Sequence, residues 1–168
     1  MTAGVWLQKS GRNCVAVAEG LSLHEAPRRE FTALGGTLLS GDTVIGGIWT
    51  GNRLERVYTR NLENTALEAG HFILATGKFF SRGLLSTMDR IYEPVFDCEV
   101  LYDRGRENWV NPDFFGLQPF EGYGVRTDGD GRVFVKGQPA DNLFACGEIL
   151  AGKVDIVKSA LEVCRRIM

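Results

Sequence analysis

The chain has 168 residues, 44% hydrophobic and 24% charged, with 19 Lys plus Arg against 21 Asp plus Glu and so a net charge of −2. This is a globular balance with enough length for a real core, and it offers no strong attraction to nucleic acid or anionic lipid. No apolar run approaches the ~18–20 residues of a membrane span, the N-terminus lacks a charged-then-apolar leader, and Cys14, Cys98, Cys146 and Cys164 form no CxxC, so the expectation is a cytoplasmic protein with reduced cysteines and no metal.

Residues 1–20 give the weakest signal. Val15-Ala16-Val17-Ala18 reads as a short strand or a helical turn, ended by Gly20, and so indistinct a start suggests a chain that begins inside a longer one. Residues 25–35 read as a helix, with Pro27 near its start and Gly35-Gly36 as its stop. Strands follow over 37–60, broken at Gly41-Asp42 and Gly51-Asn52, the second break joining an antiparallel pair. Ala66 to Ala69 is a short extension.

Phe72-Ile73-Leu74-Ala75 has no charge and reads as a strand buried on both faces. Thr76-Gly77 stops it. Ligands of open α/β sheets lie outside the carboxyl ends of strands, so Gly77 is either a simple turn or the place where a ligand comes close to the main chain. Residues 78–120 hold nine aromatics, broken by Gly and Pro and without a clear period. They read as an irregular layer packed on a sheet, or in part as the wall of a flat apolar ligand. Val95 to Leu101 is a further strand candidate. Residues 124–136 read as a β-hairpin with an Asp-Gly-Asp-Gly tip, which lacks the spacing and closing Glu of a calcium-binding EF-hand loop.

Asn142-Leu143-Phe144-Ala145-Cys146-Gly147-Glu148 repeats the pattern of an apolar strand ended by glycine, here followed by an acid. Residues 154–167 close the chain as an amphipathic helix, with Ile156, Val157, Ala160, Leu161 and Cys164 expected to face inward. The fold class is therefore α/β (mixed α+β): a mixed β-sheet, a β-hairpin, an aromatic-rich layer and a C-terminal helix in one compact unit. No Ser–His–Asp or Cys–His pairing suggests itself, and a catalytic residue is not assigned.

The endings Ala75-Thr76-Gly77 and Cys146-Gly147-Glu148 resemble the paired motifs of two-dinucleotide-binding-domain flavoproteins. Longer stretches narrow the likeness: Val57-Tyr58-Thr59-Arg60-Asn61, Phe72 through Leu84, Glu93-Pro94-Val95-Phe96, Phe114 through Phe120 and Gly124 through Asp128. Over roughly residues 28–150 the chain resembles the C-terminal half of the B subunit family of anaerobic glycerol-3-phosphate dehydrogenase.

That resemblance implies a flavoprotein using FMN (or FAD). It also implies two partners: the FAD-containing catalytic subunit of the same complex, and its iron–sulfur subunit, which passes electrons to quinone. It implies a cytoplasmic place, or one peripheral to the inner membrane through the complex. By the same resemblance the flavin would meet Ala75, Thr76 and Gly77, with Ser81 as a hydrogen-bond donor, Arg82 offsetting charge on the reduced ring, and Gly147 and Glu148 near the ribityl chain. The family's strand–GxGxxG–helix unit, whose bare amides hold phosphate, is not found in the sequence, nor is a glycine run before the last helix. The expectation is thus a fragment with weak or no flavin binding and no activity of its own. The alternative is a cap or subunit-docking module without flavin.

Overall fold

The computed structural model describes residues 3–10, 12–19 and 25–167, with side chains for residues 29–167. Gly20, expected to end a short strand or a helical turn, lies outside the described residues. In chain order the elements are β1 (Ala3–Ser10), β2 (Arg12–Glu19), α1 (Glu25–Ala33), β3 (Thr37–Asp42), β4 (Val44–Thr50), β5 (Arg53–Thr59), β6 (Leu67–Glu68) and β7 (His71–Ala75). Then come β8 (Leu85–Ser86), β9 (Ile91–Tyr92), β10 (Val100–Leu101), β11 (Gly124–Val125), β12 (Arg132–Val135), β13 (Gln138–Ala145) and α2 (Ile156–Ile167). The architecture is the expected mixture of sheets with few helices. No helix among the described residues is long and apolar enough to cross a membrane.

The main sheet has the order β12-β13-β7-β2-β1-β3. β7 runs parallel to both neighbours, with Phe72 opposite Val15 on one side and Leu143 on the other. The remaining pairs in this sheet are antiparallel. Strand periodicity sends successive β7 side chains to opposite faces. Phe72 and Leu74 enter the larger core with Leu143, Ala145, Leu54 and Val57, while Ile73 joins Phe144, Cys146 and Val163 beneath α2. β7 is thus buried on both faces, as its unbroken apolar run predicts.

The second sheet, β4-β5-β6, is antiparallel and packs on the first through shared apolar core and two buried polar side chains, Asp42 of β3 and Asn142 of β13. Asn142 on β13 is buried; its Oδ1 accepts from the Leu54 amide at 2.9 Å, and its Nδ2 donates to the Leu54 carbonyl at 2.8 Å and the Gly70 carbonyl at 3.2 Å. An amide side chain carries donor and acceptor together and so replaces the strand that β5 lacks on this side.

The aromatic-rich region divides three ways. Phe96 and Trp109 are buried, Phe79, Tyr102 and Phe120 are half-buried against the core, and Phe80, Phe114 and Phe115 stand in solvent. Within the Val95–Leu101 candidate only Val100–Leu101 is strand. The preceding residues instead turn around buried Glu93, whose carboxylate accepts from the amides of Val95 and Phe96, both at 2.8 Å, and of Cys98 at 3.4 Å. Those amides are committed to a side chain and leave no ladder for a longer strand.

The hairpin at 124–136 is present but short. Thr127 bridges Val133, while the longer ladder joins β12 to β13 through Lys136 and Gly137, both at positive φ (51° and 82°). Two positive φ values in a two-residue loop match the twist of the flanking strands. The Asp-Gly-Asp-Gly tip is tied to α2 by Arg166–Asp130 at 3.2 Å and closed locally by Arg132–Asp128 at 2.8 Å.

The helix face expected inward is a correction. Ser159 and Val163 are buried and Ala160 and Ile167 half-buried, whereas Ile156, Val157 and Leu161 are about half exposed or more. At 100° per residue this rotates the inward face by ~70° from the apolar pattern. The cause is polar: the Ser159 hydroxyl accepts from the buried Gly147 amide at 3.0 Å and donates to the Ile156 carbonyl at 2.9 Å. A buried amide needs a partner, and α2 turns to supply it.

Asn142→Ala is expected to lower unfolding free energy by about 2–4 kcal/mol, because it strands a buried N–H and a buried C=O on Leu54. Urea denaturation checks this through the transition midpoint. Burial raises the Glu93 carboxyl above its usual 4.5, and the three amide hydrogen bonds only partly oppose it. A raised folded-state pKa gives stability that is complete below 4.5 and lost as pH rises through the folded value. The stability of the protein relative to Glu93→Gln should therefore fall from pH 4.5 upward and then level off, measured by denaturation across that range.

Candidate functional site

β7 and β13 run parallel and end together. The Cys146 amide donates to the Leu74 carbonyl at 3.1 Å, and the chain then turns at Gly77 (φ 69°) and at Gly147 (φ 79°). Thr76, Gly77, Ser81, Gly147 and Glu148 are gathered at this edge. A Cβ on Gly77 would overlap the Ser81 hydroxyl and lie 3.9 Å from Glu148 Oε2. Ala75 makes the last pair of β7 with β2 and packs beneath α2. Arg82 is not drawn in with the others: it is exposed, in a left-handed conformation (φ 63°), and its side chain makes no hydrogen bond or ion pair among the described residues.

The loop that leaves β7 is folded on itself. The amides of Gly83 and Leu84 donate to the Lys78 carbonyl at 2.9 and 3.3 Å, and the Arg82 amide donates to the Phe79 carbonyl at 3.2 Å. Gly83 lies so close to the Gly77 carbonyl that no side chain fits there. Ser81 Oγ reaches the Lys78 carbonyl at 3.4 Å. Thr76 is 4% exposed, and its hydroxyl has no hydrogen-bond partner among the described residues. An orphaned buried hydroxyl is costly and uncommon, and it sits where the sequence places a ligand.

Beside this edge opens a cavity of about 620 Å³, within the usual range for small-molecule sites. Its walls include Lys78, Phe79, Phe120, Glu148, Lys153 and Ile156. The Lys78 ammonium donates across it to the Glu121 carbonyl. Burial lowers the Lys78 pKa from 10.5, opposed by the charges of Glu148 and Glu121. Cys146 is pushed up to about 11, first by burial and then by nearby Cys164, so its thiol stays protonated at neutral pH. No group of His, Cys, Asp and Glu suited to a metal occurs among the described residues.

Three residues of this edge escape the sequence reading. Lys78 directly follows Gly77, and the rule that sites lie beyond strand ends already reaches it. Gly83 pairs with Gly77 to fold the loop, a signal visible only as a second glycine six residues on. Ser159 carries no mark in the sequence, since one serine on a helix reads as solvent-facing.

Residues 1–159 match the family model described as FAD binding domain. Among curated proteins, the B subunit of anaerobic glycerol-3-phosphate dehydrogenase from Yersinia enterocolitica is 39% identical over 133 residues, covering 79% of this chain and 31% of that protein. Its namesake in Vibrio vulnificus is 39% identical over 136 residues and that in Vibrio cholerae 38% over 135, each covering 79% of this chain and 31% of the relative. The chain spans about a third of the length of these relatives. No solved structure matches. With nearly its whole length matched by that model, the chain belongs to the FAD binding domain family.

Proposed function

We propose that this chain is one compact piece of a flavin-dependent oxidoreductase subunit, which relays electrons from the oxidation of glycerol 3-phosphate to dihydroxyacetone phosphate. The electrons pass toward quinone through an iron–sulfur subunit. That subunit is one partner, and the FAD-containing catalytic subunit of the same complex is the other. The chain works on the cytoplasmic side, at the inner membrane only through the complex. The observation that carries the reading is the pair of parallel strands ending side by side at Gly77 and Gly147, with the orphaned Thr76 hydroxyl between strand and loop. The relatives' names support the same reading.

The residues present fit a flavin. The Thr76 hydroxyl has hydrogen-bonding capacity to spare, and the turns at Gly77 and Gly147 leave Glu148 free at the cavity wall. Ala75, Thr76, Gly77, Ser81, Gly147 and Glu148 would hold the FMN (or FAD), and Arg82 would contribute charge from the exposed side of the loop. When bound, flavin supplies the electron storage, and the protein supplies binding, orientation and electrostatics.

A second reading, a subunit-docking module without flavin, is favoured by one observation. Phe114 and Phe115, 83% and 94% exposed, stand edge to face at 5.4 Å on a loop held by Gln118. Aromatic side chains on a fixed frame are common anchors of protein interfaces.

Without a glycine-rich phosphate loop, several charge-assisted hydrogen bonds of about 1–3 kcal/mol each are missing. This chain should therefore bind FMN more weakly than micromolar, as judged by fluorescence titration; sub-micromolar affinity would contradict the expectation. In a full-length relative, valine at the position of Gly77 should release bound flavin. Its side chain collides with Ser81, and the left-handed backbone adds about 1 kcal/mol or more of strain. Visible absorbance of the purified variant reads the result, and full flavin occupancy would reduce Gly77 to a turn.

A further inference from the structure

Lys78 and Lys153 are the cations in the cavity lining, whereas Arg82 stands outside it. An ammonium carries three donors. Among the described residues Lys78 uses one, on the Glu121 carbonyl. The Glu148 and Glu121 carboxylates act on it electrostatically without forming an ion pair. The Phe79 and Phe120 rings, edge to face at 5.8 Å, line the same cavity as Lys78 and give it an apolar surface. A half-buried ammonium with idle donors gains more from an anion than one in open water, because less solvent screens the pair. Lys153 adds a second positive charge to the lining.

We propose that Lys78 is the anion-binding group of this cavity and takes the phosphomonoester of a ligand whose flat apolar part lies along Phe79 and Phe120. The phosphate has two possible sources, the terminal phosphate of FMN or a small phosphorylated substrate such as glycerol 3-phosphate. The cavity favours the first, because three carbons would leave most of about 620 Å³ and its aromatic wall unfilled. The inference rests on the flavin reading for the ring and not for the anion.

The test titrates this chain with FMN, riboflavin, glycerol 3-phosphate and phenyl phosphate. Flavin fluorescence reads the first two and ³¹P NMR the last two. Lys78→Met should weaken FMN and phenyl phosphate by about tenfold or more and leave riboflavin unchanged, and Lys78→Arg should restore most of the loss. Lys136→Met, in the β12–β13 turn, should change nothing. Equal loss for riboflavin and FMN, or no loss at all, overturns the proposal. So does an absence of phenyl phosphate binding at ten millimolar or about that level.

FMN binding that ignores Lys78 leaves the flavin reading standing and removes this one. Phenyl phosphate binding that depends on Lys78, without any flavin binding, does the reverse. Glycerol 3-phosphate bound through Lys78 as tightly as FMN assigns the site to substrate. If Lys78→Met loses its folded circular dichroism, Lys78→Gln in the same titrations decides.

Discussion

Two sheets of different size must share one core, and buried Asn142 is the side chain that ties β13 to β5 across it. β5 presents the Leu54 N–H and C=O to the interior, where water cannot satisfy them. Asn142 answers both from β13 and adds a bond to the Gly70 carbonyl at the entry to β7. One buried amide thereby fixes the depth of β13 against β5 and the start of β7 against β13. Strand register then carries that alignment through Leu143–Phe72 and Ala145–Leu74 to the ends of both strands. A threonine or serine offers too short a reach, and a leucine leaves the Leu54 N–H and C=O and the Gly70 C=O without this partner, at a cost of several kcal/mol.

At those ends the backbone has to leave a buried sheet within a residue or two. Gly77 and Gly147 do this with positive φ, and each exit exposes polar backbone that must be paired. The Gly147 amide finds Ser159, which sets the rotation of α2. The loop after Gly77 pairs with itself through the Lys78 carbonyl, and the Lys78 side chain lines the cavity with its ammonium on the Glu121 carbonyl. The Thr76 hydroxyl is the one buried polar side-chain atom without a partner among the described residues.

What was legible in the sequence follows from this division of labour. Phe72-Ile73-Leu74-Ala75 declares a strand buried on both faces because every residue in it obeys one rule, and the glycine after it declares the exit. The mixed fold class and the closing helix are legible for the same reason. The inward face of α2 is not, because it is decided by one amide at Gly147, 12 residues away, and not by the apolar count on the helix. The loss of strand before Val100 is likewise decided by a single acid, Glu93, whose burial no local pattern announces. Both Arg82 and Lys78 follow the strand end in sequence; the folded loop leaves Arg82 exposed and puts Lys78 in the cavity lining. Charge type can be read from sequence; the side of a six-residue loop that carries it depends on hydrogen bonds closed by that loop.

The cavity is assembled from parts that are each closed before any ligand arrives. One wall is the Lys78–Gly83 loop, locked by its own backbone bonds and by the contact of Gly83 on Gly77. A neighbouring part of the lining follows a loop in which Gln118 donates to the carbonyls of Asp113 and Gly116 at 3.0 and 3.3 Å and accepts from the Asn111 amide at 2.9 Å. The Lys78–Glu121 bond spans the two. Ordering such loops only upon binding would subtract from affinity for every side chain immobilised. Here that ordering belongs to folding, so affinity is left to depend on the groups that face the space, among them Lys78, Lys153, Glu121, Glu148 and the aromatic side chains.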